Sequence, residues 1–259
     1  MFSWPSADFN LFLLVAARVL ALVETAPLIS GESVPQVAKV GLAGLAAAAV
    51  FPMVKASGYA IPADGAAYAL LLVGEAMIGV IMGFFLTTIF SAFGMAGQFY
   101  SLQIGFGASE TYDPLSEVEI PVMGQFLNLI AMFVFVATEG FQKLFLLGVQ
   151  GSFKAMRAMD LVTRRNDIIQ FLVRSVGDLF VQSLVLSLPI LGTLFIITVA
   201  LGLLSKAAPQ MNLLTEGFPI SLIVTFTIMV AALPLMMEAF SRIIGAGFDG
   251  IARLVGGSL

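Results

Sequence analysis

The chain contains no cysteine and no histidine. Without cysteine there are no disulfides, no iron–sulfur clusters and no thiol nucleophile. Without histidine the commonest metal ligand and the usual general base near neutral pH are also missing. Charge is scarce: 11% of the 259 residues are Asp, Glu, Lys or Arg, against roughly 25% in an ordinary soluble domain. The net charge is −4 and the basic residues are few and scattered, which argues against a nucleic-acid partner. The acids are not grouped at ligand spacing, so no carboxylate metal site is expected. Neither an HExxH zinc site nor a Ser–His pair can be built, and Asp178 and Asp249 lack the supporting sequence of an aspartyl protease. Walker A and Rossmann glycine patterns are absent as well. These absences point away from an enzyme and from any cofactor.

What the chain has in abundance is apolar sequence. Hydrophobic residues make up 59% of it and its mean hydropathy is +1.03. That composition belongs to an integral membrane protein, and the fold class read from it is all-α with about six hydrophobic helical segments. The N-terminus has neither a basic flank nor a small-residue cleavage site, so it reads as a retained first helix, with Trp4 and Pro5 at an interfacial start.

The first segment spans about Phe9 to Ile29 and contains Arg18 and Glu24; Pro27, Gly31 and Pro35 then punctuate the chain. The second, Val40 to Val54, is Ala/Gly-rich and short for a crossing of about 20 residues, which suits half of a bent hairpin. The third, Tyr68 to Phe93, carries Glu75 and the pair Gly79 and Gly83, a GxxxG spacing that lets helices approach closely. The fourth, Val122 to Val149, is apolar apart from Asn128 and the Glu139–Lys143 pair, whose i,i+4 order suits a helix-surface ion pair. The last two, Leu179 to Leu204 and Phe218 to Phe240, form a helical hairpin, with kinks expected at Pro189/Gly192 and at Pro234. The tail beyond them reads as a weakly amphipathic segment returning along the surface.

Basic residues concentrate between Lys154 and Arg174, which places that span and both termini on the cytoplasmic side and the acidic Glu110–Glu119 region outside. Ionisable residues inside apolar segments are costly. Arg18 and Glu24, six residues apart, do not face each other on one helix. Two readings stay open for Arg18 and Glu75: an inter-helix pair, or side chains near segment ends that snorkel to the interface. No internal repeat is visible.

The stretch Gly94 to Pro121 differs from the apolar blocks on either side. Gly94, Gly97, Gly105 and Gly107 lie among aromatic and Met side chains, and Glu110, Asp113, Glu117 and Glu119 follow. Two readings are open: a broken, re-entrant segment closing a conduit, since irregular backbone in a membrane must face protein or water, or an ordinary loop with glycines at helix caps. Phe93, Met95, Phe99, Tyr100, Phe106 and Met123 suit a deformable apolar seal as well as plain core packing.

Four sets of residues together resemble the FliR family of the flagellar export apparatus, whose virulence type III secretion counterparts are SctT and SpaR. They are Arg18, Pro27, Pro35 and Lys39; the Glu75–Gly79–Gly83 helix; GQFYSLQIGFG…DP from Gly97 to Pro114; and LGLLSKAAPQMNLLTEGFP from Leu201 to Pro219. The resemblance covers essentially the whole chain, and PQMN followed by GFP is its most specific part. It implies bent helical hairpins in a helical hetero-oligomeric assembly with FliP and FliQ, contact with FlhB, and unfolded flagellar proteins as transient cargo. Residues 1–175 would resemble a FliP subunit and 176–259 the FliQ hairpin. It further implies a location in the bacterial inner membrane within the flagellar basal body, with surrounding lipid. The counterpart of a plug loop is Gly105 to Pro121, with Gly105, Phe106, Gly107, Glu110, Tyr112, Asp113 and Pro114 as its gating candidates. Arg18, Glu75, Gly79, Gly83, Pro209, Gln210 and Asn212 are candidates for inter-helix or inter-subunit packing. The competing functions are a secondary transporter for a small solute or ion and a purely structural membrane scaffold.

Overall fold

The computed structural model describes residues 6–31, 34–104, 122–208 and 213–256. Among the described residues every regular element is helical. The helices are α1 (Ser6–Thr25), α2 (Gln36–Ala56), α3 (Gly65–Ile104), α4 (Val122–Ala137), the short α5 (Gly140–Lys143), a π-helical stretch (Leu144–Gly151), the short α6 (Ser152–Ala155) and α7 (Asp160–Thr163), α8 (Arg165–Ala207) and α9 (Leu213–Gly256). Of these, α2, α3, α8 and α9 are long and apolar enough to cross a membrane, and α4 with Gly140–Ala155 makes a fifth candidate if that bent pair is one span. The segment expected at Phe9–Ile29 is the 20-residue α1, which carries Asp8, Arg18 and Glu24.

The second segment is a full helix of 21 residues. The apolar run understates it because the helix continues through Gln36 and Lys39 at one end and Lys55 at the other, and polar side chains there find partners on α1. Lys39 Nζ lies 3.6 Å from Glu24 and Lys55 Nζ lies 2.7 Å from Asp8. Gln36 also donates to Glu24. The two ends of α2 are thus tied to opposite ends of α1 as an antiparallel hairpin, with Val15, Leu22, Ala43, Ala47 and Val50 buried along the pair.

Three other expectations change. The helix does not break at Gly94: α3 runs on through Gly94 and Gly97 to Ile104. These glycines serve close packing instead of bending, since a Cβ on Gly97 would fall on the backbone of Gly124 in α4, and one on Gly94 would lie 3.2 Å from the Asn128 amide. The sharp break comes at Thr138–Glu139, where the axis turns by 71°. Glu139 there has φ 59, the left-handed conformation that costs a side chain about 1–2 kcal/mol. Glu139 therefore stands at the N-cap of α5, its carbonyl accepting from the Lys143 N–H at 3.0 Å, and no Glu139–Lys143 ion pair forms among the described residues. Finally, the expected separate tail is part of α9, which runs to Gly256; Pro189 lies inside α8 and Pro234 inside α9.

The chain divides into two compact units. One comprises Met1–Ile89, Val136–Val176 and Ile244–Leu259, the other Phe90–Phe135 and Gly177–Ile243, so α3, α8 and α9 each contribute to both. In the second unit Phe93 packs on Phe240 at 4.4 Å between centroids and Phe90 on Phe135 at 5.6 Å. The Tyr100 hydroxyl donates to the Leu186 carbonyl at 2.8 Å. Phe93, Tyr100 and Met123, named above for a seal, are buried in this packing. In the first unit Phe85 packs against Phe171 at 4.7 Å, and Gly247 and Gly250 let α9 approach Ile89 and Phe85 of α3.

Candidate functional site

Arg18 lies two-thirds of the way along α1, one helix turn before Leu22, among apolar neighbours that commit this face to burial. Only 2% of it is exposed, and Glu75 of α3 is fully buried. Carrying two ionisable groups out of water costs several kcal/mol each, so such a pair persists only when nearly every polar atom has a partner. Arg18 Nε donates to Glu75 Oε2 at 2.6 Å, and Nη2 lies 2.5 Å from the same oxygen. The guanidinium further donates from Nη1 to Ser152 Oγ at 3.1 Å and from Nη2 to the Met156 carbonyl at 2.9 Å. Its Cζ stands 3.9 Å from the centroid of the Phe153 ring, where cation–π attraction adds to the packing. The second Glu75 oxygen, Oε1, accepts from the Tyr59 hydroxyl. The snorkelling alternative is therefore overturned for both residues.

The surrounding backbone explains how these groups meet. Gly79, one turn beyond Glu75, has no room for a Cβ, which would fall on the Arg18 carbonyl oxygen and lie 2.9 Å from Ala21 Cβ. A Cβ on Gly83 would fall on the Thr25 hydroxyl. The GxxxG pair thus seats α1 directly against α3, and this close approach brings Arg18 within reach of Glu75. Past the break at Glu139, the π-helical stretch leads into Ser152, Phe153 and Met156, which meet the guanidinium. Ser152 Oγ donates in turn to the Val149 carbonyl at 2.8 Å. Gly74 then admits Ala158, with a Cβ there only 2.7 Å from the alanine methyl.

Tyr59, in the linker between α2 and α3, closes the cluster from the other side, with the Arg157 guanidinium 5.6 Å from its ring centroid. Burial, reinforced by the Glu75 carboxylate, pushes the Tyr59 phenol well above its usual range, so it remains a hydrogen-bond donor at physiological pH. Chemically the cluster is a closed, internally satisfied ion pair that fastens α1, α3, the linker and the segment after the break. It offers no group poised for catalysis.

Of the residues singled out from the sequence, Arg18, Glu75, Gly79 and Gly83 come together here. Gly105, Phe106, Gly107, Glu110, Tyr112, Asp113 and Pro114, and Pro209, Gln210 and Asn212, lie outside the described residues. Sequence reasoning missed Tyr59, Ser152, Phe153 and Met156. None carries a charge, and Ser152 and Met156 are 134 and 138 residues from Arg18. Only Tyr59, one of four tyrosines, offered a signal.

A family model described as bacterial export proteins, family 1, matches residues 9–247. The chain is 33% identical over 189 residues to the flagellar biosynthetic protein FliR of Borreliella burgdorferi, covering 73% of this chain and 70% of that one. It is 30% identical over 246 residues to the flagellar biosynthetic protein FliR of Escherichia coli, covering 95% and 93%. With the protein of the same name from Bacillus subtilis it shares 26% identity over 250 residues, 95% of each chain.

Proposed function

The chain belongs to the FliR family of bacterial export proteins, and we propose that it is a core subunit of the flagellar type III export gate. In this reading it forms, with FliP and FliQ, the channel through which unfolded flagellar subunits leave the cytoplasm, and it contacts FlhB. The assembly lies in the inner membrane at the flagellar basal body. Residues 1–175 correspond to a FliP-like region and 176–259 to a FliQ-like hairpin. The observation that carries this reading is the family match across residues 9–247, nearly the whole chain.

The helices support a subunit that is completed by neighbours. Only 22% of the most apolar window of α8 and 17% of that of α9 is buried, against 39% in α3. Val185, Phe195, Ile223 and Val230 are all more than half exposed. Such faces need lipid or the apolar flanks of other subunits. The Arg18–Glu75 cluster gives the subunit a fixed internal joint between α1, α3 and the segment at Ser152–Met156. The role is passage of protein chains and not catalysis, with energy supplied by other components of the apparatus.

The loop from Gly105 to Pro121, with Phe106, Glu110, Tyr112 and Asp113 in it, helps to close the resting channel. Deleting Phe106–Asp113 is expected to make the closed gate leak ions in planar-bilayer recordings. Conductance equal to that of the parent complex removes the closing role while leaving the family assignment intact.

A further inference from the structure

We propose that residues 183–193 of α8 form a hinge, and that one hydrogen bond from the Tyr100 hydroxyl of α3 locks it. The segment reads SLVLSLPILGT and concentrates the features that let a helix bend. Pro189 has no N–H to give, so the Val185 carbonyl one turn earlier loses its helical donor. A Cβ built on Gly192 meets nothing within 4 Å, so no neighbour braces the chain there. Ser183 and Ser187 are fully buried and turn their hydroxyls back on the helix. Ser183 Oγ donates to the Phe180 carbonyl at 2.9 Å and Ser187 Oγ to the Leu184 carbonyl at 2.8 Å. Beyond the proline, Thr193 Oγ1 donates to the Pro189 carbonyl at 2.9 Å. Such back-bonds favour bending, and proline with nearby glycine and serine is where helices kink. They also keep carbonyls occupied when a turn opens, so a bend leaves fewer acceptors stranded.

The lock comes from another helix. Tyr100 is fully buried, and its hydroxyl donates to the Leu186 carbonyl at 2.8 Å. That carbonyl comes directly after the one that Pro189 deprives, and its own helical donor is the N–H of Ile190, next to the proline ring. Tyr100 thus grips α8 at its weakest turn. Leu186, Ile190 and Leu194 are buried on the gripped side, while Val185, Leu188 and Pro189 are exposed on the other. Opening the turn withdraws the tyrosine donor from a buried carbonyl, which costs more than a bond exchanged with water. Tyr100 and residues 183–193 all belong to the second compact unit, so hinge and lock are complete within one subunit.

Because the chain has no cysteine, spin labels can be placed on it without background. In the detergent-solubilised full chain, Val181→Cys and Val199→Cys carry nitroxides on either side of the hinge. Both valines are exposed, and on a straight helix they stand about five whole turns, or about 27 Å, apart on one face. Double electron–electron resonance should give one narrow distance for this labelled parent. Tyr100→Phe keeps the ring and its packing but removes the donor. It should raise the bent fraction about five-fold, the worth of one net hydrogen bond, seen as a second distance or a broadened one. Adding Pro189→Ala restores the missing N–H and should return the single narrow distance. A broad distribution in the parent overturns the lock, as does a Tyr100→Phe distribution identical to the parent's. Broadening that survives Pro189→Ala overturns the hinge, because the disturbance then lies in packing and not at the proline. If Tyr100→Phe loses the parent's elution volume in gel filtration, the bond is a requirement for folding and the proposal fails as well.

Discussion

Replacing Arg18 with methionine isolates what the buried cluster contributes. Methionine keeps the volume and flexibility of the aliphatic stem, so the change is chiefly one of charge and hydrogen bonding. It leaves the Glu75 carboxylate fully buried with only the Tyr59 hydroxyl as partner, strips the Met156 carbonyl of its donor and removes the cation from the Phe153 ring. Breaking a buried ion pair from one side costs about 3–5 kcal/mol, because an uncompensated charge stays behind. For a chain of this size that corresponds to a fall of about 10 °C in melting temperature. The diagnostic step is the double variant Arg18→Met/Glu75→Gln. The glutamine carbonyl still accepts from Tyr59 and no charge remains, so most of the lost stability should return. Stepwise heating of detergent-solubilised protein, followed by fluorescence-detected gel filtration, gives the apparent melting temperatures. If the single variant melts with the parent, the carboxylate is not held as described. If the double variant melts as low as the single one, lost arginine packing is the cause and not a stranded charge, and the reasoning fails.

Gly79→Ala places a methyl on the Arg18 carbonyl and should cost about 1–3 kcal/mol by overpacking. Gly41→Ala in α2, where a Cβ meets nothing within 4 Å, should be neutral or stabilising by up to about 1 kcal/mol; the same melting assay compares the two. Glu139→Gly relieves a left-handed backbone at an exposed position and is expected to raise stability by about 1 kcal/mol. A lower melting temperature for that variant would mean that the break is held by the glutamate side chain and not merely tolerated.

How much of this was legible depended on where the sequence announced its costs. Arg18 and Glu75 stood out because ionisable groups amid apolar sequence need a reason, and the glycine spacing at 79 and 83 marked the face that brings them together. The partners supplied by Ser152, Phe153 and Met156 were not legible, since a hydroxyl, a ring and a backbone carbonyl look the same in sequence whether they face lipid, a neighbour or an arginine. Glycine misled in one place. Gly94 and Gly97 permit both a bend and a close crossing, and the crossing with Gly124 and Asn128 decided for continued helix. Proline attracted attention at 189 and 234, yet the sharp break occurs at Glu139, where local sequence shows only an acid before a glycine. Helix ends were underestimated wherever polar residues were folded in, as with Lys39 and Lys55 on α2.

Membership of a hetero-oligomeric export gate can be tested by co-expression. The tagged chain would be produced with FliP and FliQ from the same source, purified in mild detergent and weighed intact by native mass spectrometry. A discrete complex whose mass contains this chain together with both partners is expected. A stable, monodisperse species containing this chain alone would contradict it.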